Sequence, residues 1–465
     1  MRVVVIGGGI SGLVAAHRLK TAGRGVEVQL LESAEHAGGH ARTTREDGYL
    51  IEGGPNAILE RPNEPEMREV ARGLGIEPRL REARASAKRR FVLRRGRLHR
   101  APDSPPTVLT TSILSPLAKL RLVMEPWAPR AVPGADETVQ EFASRRIGRE
   151  AAERLVDAAV AGISAGDSRK LSVRAAFPML VEMERDHGSL IRAMLARQRA
   201  AKAGGPPAAS KLVAFDGGMA TLVDALAGSL GSALRTGRRV TRIASMGTRW
   251  SVECEGGVAV DADRVLLALP ASRAALVLKQ ADPALSDLLA EVPYAGVAMV
   301  ALAYRAADVA RSLDGYGYLV DRQEGLDTLG VLWESSLFEG RAPEGFAVLR
   351  VMIGGSRHPD AVARDEAALV QRARAELAGP MGVIADPVRT WVRRWPDSIA
   401  QYEIGHLERV AEARRLAARH AGLELCGSSY DGVSFGSAIR SGIAAADRIL
   451  AKLHSLPETT LAGAL

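Results

Sequence analysis

The stretch Arg2-Val3-Val4-Val5-Ile6-Gly7-Gly8-Gly9-Ile10-Ser11-Gly12 decides the fold. Arg2 to Ile6 is a short β-branched run and predicts a strand. The glycines predict a tight turn, and the Ala- and Leu-rich segment behind them predicts a helix to about Lys20, stopped by Gly23. Val26, Val28, Leu30 and Leu31 then predict a second strand ending at Glu32, 20 residues beyond Gly12. In the pattern Gly7-x-Gly9-x-x-Gly12 each glycine has its own task. Gly7 permits the turn, Gly9 lets the backbone approach a pyrophosphate, and Gly12 lets the helix pack closely on the strand. The helix N-terminus offers free N–H groups and the positive end of its dipole to that pyrophosphate, while Glu32 is placed to accept hydrogen bonds from a ribose hydroxyl. A dinucleotide-binding unit therefore opens the chain.

Around this unit lie 465 residues, enough for about two or three domains. A charged fraction of 25 % and a mean hydropathy near zero exclude disordered and fibrous classes. No apolar run approaches the roughly 18 residues that span a bilayer. Val3 to Ile6 is too short for the core of a signal peptide and runs directly into glycines. With Cys254 and Cys426 as the two cysteines, no disulfide framework is expected, and a cytoplasmic location follows. The net charge of +8 comes with only eight lysines, an arginine skew that reads as coding bias rather than nucleic-acid binding. One stretch is locally extreme: Arg79, Arg81, Arg84, Lys88, Arg89, Arg90, Arg94, Arg95, Arg97 and Arg100, against Glu82 alone. A solvated basic face is the plain reading; an anionic substrate or an anionic membrane surface are the sharper ones. Phe91 is its one aromatic ring for stacking bases, so no nucleic-acid partner is expected.

Residues 117–200 read as mostly helical, with helices at Glu137–Arg146, Arg149–Val160 and Phe177–Arg199, and Gly204-Gly205-Pro206-Pro207 reads as a linker. From Leu212 the pattern alternates again: a strand to Phe215, a helix near Leu222–Leu230, then strands near Arg239–Ile243, Arg249–Glu253 and Val265–Ala268. Further strands are expected at Ala298–Ala303, Tyr316–Val320 and Val348–Ile353. The chain ends in a helix, the strand Leu423–Cys426, a glycine-rich turn and a last helix to Leu453. That turn, Cys426-Gly427-Ser428-Ser429-Tyr430-Asp431-Gly432-Val433-Ser434, argues for a flavin, since a nicotinamide enzyme needs no second glycine turn at its far end. A helix starting near Val433 lies well for stabilising the N1/O2 edge of a reduced flavin through its dipole.

Gly38-Gly39-x-x-Arg42-Thr43 and Glu52-Gly53-Gly54-Pro55-Asn56 resemble motifs of the amine-oxidase-like flavoproteins. The resemblance narrows in mid-chain. Gly162-Ile163-Ser164-Ala165-Gly166-Asp167, Leu171-Ser172, Phe177-Pro178-Met179-Leu180, Glu184 and Gly188-Ser189 resemble the signature of protoporphyrinogen IX oxidases. So do Lys88-Arg89-Arg90-Phe91 with Gly96-Arg97-Leu98, Phe215-Asp216-Gly217-Gly218, Gly315-Tyr316-Gly317-Tyr318-Leu319-Val320, Trp395-Pro396, Gln401-Tyr402 and Gly405-His406. The departures are Ser428, where that family has Asn, and Ala438, where it has Cys.

The resemblance implies an α/β fold: a discontinuous Rossmann-type FAD-binding domain (1–78, 208–285 and 418–465), a mixed-sheet substrate domain (79–94 and 286–417) and a helical insert (95–207). It implies non-covalent FAD held by Gly7, Gly8, Gly9, Ile10, Ser11, Gly12, Glu32, Ser33, Gly39, Arg42, Gly54, Pro55, Asn56, Ala57, Val240, Trp395, Gly427, Gly432, Val433, Ser434 and Phe435. It implies a porphyrinogen oxidised with O2 as acceptor, with Arg90 anchoring a propionate, Gly162 giving the macrocycle room, and Leu319 and Phe338 as apolar contacts. Coproporphyrinogen oxidation, amine oxidation, carotenoid desaturation and an FAD-binding interaction protein without turnover stay open. A peripheral contact with the inner face of the cell membrane and a homodimer stay open too. Three rival motifs carry less. Gly162-x-Ser164-x-Gly166 fits a nucleophile elbow but follows an expected helix instead of a strand. His36 and His40 are separated by Gly38-Gly39 and share no helix face, so no metal is expected. Cys426 is expected as a buried strand residue.

Overall fold

The computed structural model describes residues 1–454 apart from 24, 104, 133 and 205–209. Its centre is a five-stranded parallel sheet in the order Leu234–Arg235, Glu27–Leu31, Arg2–Ile6, Arg264–Leu267, Leu423–Leu425. An unbroken β-branched run suits a strand buried on both faces, and its residues divide with period two. Val3 and Val5 pack with Leu13 and Ile439 on one side, whereas Val4 and Ile6 pack with Trp250 and Val252 on the other. The helix Ile10–Thr21 and the last helix, Phe435–His454, cover the first side. A small antiparallel sheet, Val240–Met246, Arg249–Cys254 and Ala259–Ala262, covers the second. The nucleotide fold is thus opened by one end of the chain and completed by the other.

A seven-stranded sheet lies beside it, in the order Arg389–Ala400, Tyr294–Arg305, Phe346–Gly354, Thr328–Trp333, Gly317–Val320, Arg90–Arg94, Arg97–Arg100. It is antiparallel except where Gly317–Val320 runs parallel to Arg90–Arg94. Two of its strands, Thr328–Trp333 and Arg389–Ala400, carry no clean alternation and go unread in the sequence. Strand Arg97–Arg100 belongs to this sheet although it falls in the stretch expected to be helical, and Leu80–Glu82 pairs with Lys211–Phe215 in a separate three-stranded sheet with Ile58–Glu60. The basic run between these strands is less solvated than its composition suggests. Arg79 and Arg81 pair with Asp216, Arg84 with Glu339, Arg89 with Asp314, Arg94 with the buried Asp321 and Arg100 with Asp103.

Two helices differ from expectation. Phe177–Arg199 is not one helix but two, Pro178–His187 and Leu190–Lys202. Gly188 adopts a left-handed φ of 68° that ends the first, and the Ser189 side chain accepts from the Arg192 amide to begin the second. The fully buried Glu125 fixes this break by accepting from the Leu190 amide at 2.9 Å and the Ile191 amide at 3.2 Å. The equally buried Arg146 bonds both Glu125 (Nε, 2.8 Å) and the Gly188 carbonyl (3.1 Å). The second helix begins at Arg149, passes through a π-helical turn at Ala152–Val156 and continues as Asp157–Ser164, beyond its expected end. Gly205, Pro206 and Pro207 of the expected linker lie outside the described residues.

Glu125→Gln should cost about 3 kcal/mol, because the buried Arg146 loses the carboxylate its fork grips and keeps Glu184 at 3.2 Å as its remaining acid among the described residues. Burial pushes the Glu125 carboxyl up, but hydrogen bonds from Ser189, the Leu190 amide and Arg146 outweigh it and hold the group below the usual 4.5. A carboxyl lowered in the folded state stabilises above its unfolded pKa, and this stabilisation is lost as pH falls through the folded value. Thermal unfolding should therefore show a variant well below wild type near neutrality, the gap narrowing on acidification. Equal midpoints near neutrality would refute the assignment.

Candidate functional site

The glycine turn sits where the first strand hands over to the first helix. Gly7 has φ 106°, and a Cβ on Gly12 would fall 1.9 Å from the Gly7 carbonyl oxygen, so only glycine lets this helix lie against the strand. Gly9 stands before Ile10 with φ −67° and no side-chain cap, leaving first-turn amides aimed outward. A second glycine pair closes on the first. The Gly38 amide donates to the Gly8 carbonyl at 2.7 Å, and a Cβ on Gly39 would lie 3.4 Å from the Gly9 Cα. Arg42 holds this loop by donating to the Gly39 and His36 carbonyls at 3.2 and 2.7 Å. Glu32 ends the second strand, its carboxylate taking the Gly8 amide at 2.6 Å, the Ala34 amide at 2.7 Å and the Ser33 hydroxyl at 3.2 Å. A carboxylate has about four acceptor sites, so capacity for a ribose remains. The Arg238 amide donates to the Glu32 carbonyl at 2.7 Å, which brings the strand starting at Val240 beside it.

The C-terminal turn reaches the same place. A Cβ on Gly427 would lie 3.9 Å from Ser11 Oγ, and Ser11 Oγ donates to the Ala438 carbonyl at 2.8 Å. The last helix begins at Phe435 rather than near Val433, because Ser434 Oγ accepts from the Ser437 amide and caps it. Tyr402 braces the turn. Its hydroxyl accepts from the Gly432 amide and donates to the Ser428 carbonyl, both at 2.7 Å, while its ring stacks on buried His406 at 3.9 Å. Burial there lowers the His406 pKa to about 4. Ser429 is pinned by the Tyr294 hydroxyl at 2.7 Å and the Ala271 amide at 3.0 Å.

A third wall, Gly53 to Ala57, is held from below by buried charge. Arg350 donates to the Glu52 and Gly54 carbonyls at 3.0 and 2.6 Å and pairs with Glu334 at 2.7 Å. Arg341 donates to the Glu52 carboxylate at 2.8 Å, yet burial still pushes that carboxyl up. Trp395 Nε1 donates to the Gly53 carbonyl at 2.6 Å and meets the His40 ring edge-on at 4.7 Å. A Cβ on Gly54 would strike the His40 carbonyl at 2.1 Å. Pro55 follows, and Asn56 Nδ2 is buried without a protein partner. That unpaired donor, the outward amides at Gly9 and the space around Gly9, where a Cβ would meet no protein atom within 4 Å, fit an FAD laid along the three walls. Arg350, Arg341, Tyr294 and Ser429 are missed by the sequence reading. The one signal for Arg350 is its charge inside the apolar run Val348–Ile353, because a buried Arg is almost always paired.

The expected substrate residues are gathered in part. Leu319 and Gly162 touch: a Cβ on Gly162 would lie 2.2 Å from Leu319 Cδ2, and one on Gly330 would lie 3.3 Å from the same atom. Arg90 starts the neighbouring strand in register with Gly317, its guanidinium 5.2 Å from the centre of the Tyr316 ring. It makes no ion pair among the described residues. Phe338 is buried in the core cluster against which Ala57 and Tyr316 also pack, under the Arg341 guanidinium at 5.2 Å. Trp395 packs in the cluster of Ala161 and Ala165, so the wall at Gly53 and the helix of Gly162 share one apolar contact. Ser164 lies at the end of a helix with its hydroxyl donating to the Val160 carbonyl, which removes the nucleophile elbow. Cys426 is buried and its thiol is pushed up to about 12 by burial. Among the described residues no cluster of three His, Cys, Asp or Glu could hold a metal.

Comparison with known proteins agrees with this geometry. The family model for flavin containing amine oxidoreductases matches residues 10–450. Coproporphyrinogen III oxidase of Bacillus subtilis is 31 % identical over 97 % of this chain and 98 % of its own. Protoporphyrinogen oxidase of Bos taurus is 33 % identical over 96 % of this chain and 98 % of its own. A solved protein of Exiguobacterium sp. 255-15 superposes with a TM-score of 0.83 at 24 % identity, over 97 % of this chain and 99 % of that one.

Gly9→Val should separate cofactor binding from folding. The variant should purify folded but colourless, since its side chain fills only the space beside the helix N-terminus. Gly12→Val should fail to fold. A yellow Gly9→Val protein, loaded like wild type, would overturn the assignment of that space to the pyrophosphate.

Proposed function

This chain belongs to the flavin containing amine oxidoreductases, and from that premise we propose that it oxidises protoporphyrinogen IX to protoporphyrin IX, with O2 as acceptor and hydrogen peroxide as by-product, in porphyrin and haem biosynthesis. The observation that carries the reading is Arg90. In a run whose other arginines are largely ion-paired it has no carboxylate partner, and it stands one strand away from the Gly162–Leu319 contact. FAD held along the three walls would supply the redox chemistry, as a hydride acceptor for a methylene bridge with O2 as the final acceptor. The chain's own residues position and enclose. Arg90 grips a propionate through its planar fork, with Tyr316 beneath it. Gly162 and Leu319, packed on each other, offer the macrocycle one apolar wall of its slot. Leu319 and Phe338 are the apolar contacts proposed for its faces, Phe338 in the cluster against which Tyr316 packs. No titrating group belongs to Gly162, Leu319 or Gly330, so their part is orientation and exclusion of water.

Coproporphyrinogen III is the second reading. Lys88, Arg95 and Arg97 have no carboxylate partner among the described residues, and extra propionates would need such cations. Purified holoenzyme given each porphyrinogen in air, followed by porphyrin fluorescence and peroxide release, tests both. Turnover of neither, with flavin in place, would leave an FAD-binding protein without this activity. Arg90→Ala should lose roughly 10- to 150-fold in kcat/KM, the equivalent of a charged hydrogen bond of about 1.5–3 kcal/mol. Most of that loss should lie in KM, because a propionate is held about equally before and during reaction. Arg90→Lys should recover part, and with protoporphyrinogen IX as substrate Arg95→Ala should stay near wild type. Wild-type kinetics for Arg90→Ala would remove Arg90 from the site.

No helix among the described residues is long and apolar enough to cross a membrane. The helix Pro116–Val123 and the turn Glu125–Trp127 nevertheless expose Leu117 (79 %), Leu120, Val123, Met124 and Trp127 (74 %). This face supports a cytoplasmic protein that meets the inner membrane surface peripherally. Sedimentation with anionic vesicles should be lost in Leu117→Glu/Trp127→Glu. A wild-type protein that ignores vesicles but forms a dimer disrupted by the same changes would assign the face to a second copy.

A further inference from the structure

Between the helix that carries Gly162 and the strand that carries Leu319 lies a buried charge cluster that the redox chemistry does not use. Asp157 is the first residue of the helix Asp157–Ser164, directly after the π-helical turn Ala152–Val156. The extra residue of such a turn resets which side chains face inward. Here Asp157 is turned away from solvent into two guanidiniums. Its carboxylate accepts from Arg322 Nε at 3.0 Å and Nη2 at 2.9 Å, from Arg357 Nη2 at 2.6 Å and from Ser168 Oγ at 2.7 Å. Arg322 follows Leu319 by three residues and also holds Asp167, the residue after Gly166, at 2.7 and 3.2 Å. Arg357 bonds the carbonyl of Val320, Leu319's neighbour, at 3.1 Å and that of Asp157 itself at 2.9 Å. Arg322 and Arg357 thus tie the strand of Leu319 to the helix of Gly162.

We infer that Asp157, Arg322 and Arg357 form a positioning cluster that fixes how closely the Gly162 helix packs on Leu319, and with it the shape of the slot proposed for the porphyrinogen. This rests on the proposed function for its substrate, but not for its geometry. The missing Cβ of Gly162 makes room only if the helix is held at a fixed height over Leu319. The Arg322 fork and one arm of Arg357 close on a single carboxylate while the other arm of Arg357 holds the Val320 carbonyl, and together they restrain an element against translation and rotation, which one ion pair cannot do. In a loosened slot the substrate would bind in several poses, few of them productive.

Two readouts test the cluster in holoenzyme. The first is thiol alkylation of Leu319→Cys, specific because Cys254 and Cys426 are both buried. Adding Asp157→Asn should raise the alkylation rate by about tenfold or more, as a local opening eased by loss of a charged hydrogen bond would. Adding Glu125→Gln, an equally buried carboxylate remote from the slot, should not. The second is a double-mutant cycle between Asp157→Asn and Gly162→Ala in kcat/KM. If Asp157 sets the slot, the Gly162→Ala penalty shrinks in the Asp157→Asn background by at least about threefold. Where Asp157→Asn loses flavin or fails to fold, Arg322→Lys, which keeps the charge and loses the fork, takes its place in both tests. Unchanged alkylation, or penalties that simply multiply, would overturn the cluster's role. Absence of porphyrinogen turnover in wild type overturns the proposed substrate instead, and the alkylation result then decides the cluster alone.

Discussion

The backbone of the first helix meets the backbone of the last with no side chain between them: a Cβ on Gly442 would fall 2.3 Å from the Ser11 carbonyl. This contact joins residues more than four hundred positions apart, and the cofactor site exists because of it. It carries the Gly427–Gly432 turn to the mouth of the Gly7–Gly12 turn, so that one end of the chain offers the amides of a helix N-terminus and the other closes the opposite side. Gly12, which admits no Cβ beside the Gly7 carbonyl, makes the same demand one layer deeper. Close backbone approach is thus used twice in succession, from strand to first helix and from first helix to last, and any side chain in either place would pry the stack apart.

What could be read in the sequence was whatever a local pattern encodes. The glycine spacing, the β-branched run before it and Glu32 after it gave the nucleotide unit, and the alternation from Leu212 onward gave the return to the sheet. The failures are equally physical. Thr328–Trp333 and Arg389–Ala400 are strands set by their neighbours in a seven-stranded sheet, where tertiary pairing overrides propensity. The break at Gly188 is written as a single glycine that a helix can tolerate. What turns it into a break is the Glu125 carboxylate, some sixty residues upstream. At the site, the contact between Gly162 and Leu319 and the place of Phe338 in the cluster beside Tyr316 are settled by tertiary packing that sequence order alone does not reveal.

The residues least legible are the buried arginines, and they share a logic. Arg146, Arg350 and Arg357 each bridge a carboxylate and at least one carbonyl from another part of the chain, and Arg341 joins the Glu52 carboxylate to the face of the Phe338 ring. Burial removes the water that would otherwise satisfy them, so each guanidinium dictates where its acceptors must stand. An apolar core of the same volume could hold these segments together, but without that directional precision. The protein has placed such groups beneath the Gly53–Gly54 wall and beside the Gly162 helix, the two places where a shift of an ångström would matter to a ligand.

The order of strands in the central sheet has a consequence for how the chain is made. The strand Arg2–Ile6 pairs on one flank with Glu27–Leu31, but its other neighbour is Arg264–Leu267 and the sheet ends with Leu423–Leu425. Emerging from the ribosome N-terminus first, the hydrophobic face of Val3–Ile6 waits through the synthesis of more than two hundred and fifty residues before its second partner exists. The helical insert and much of the antiparallel sheet are complete before the centre can close. A nascent chain of this topology is a set of finished outer parts around an open seam until Leu423–Leu425 has been made.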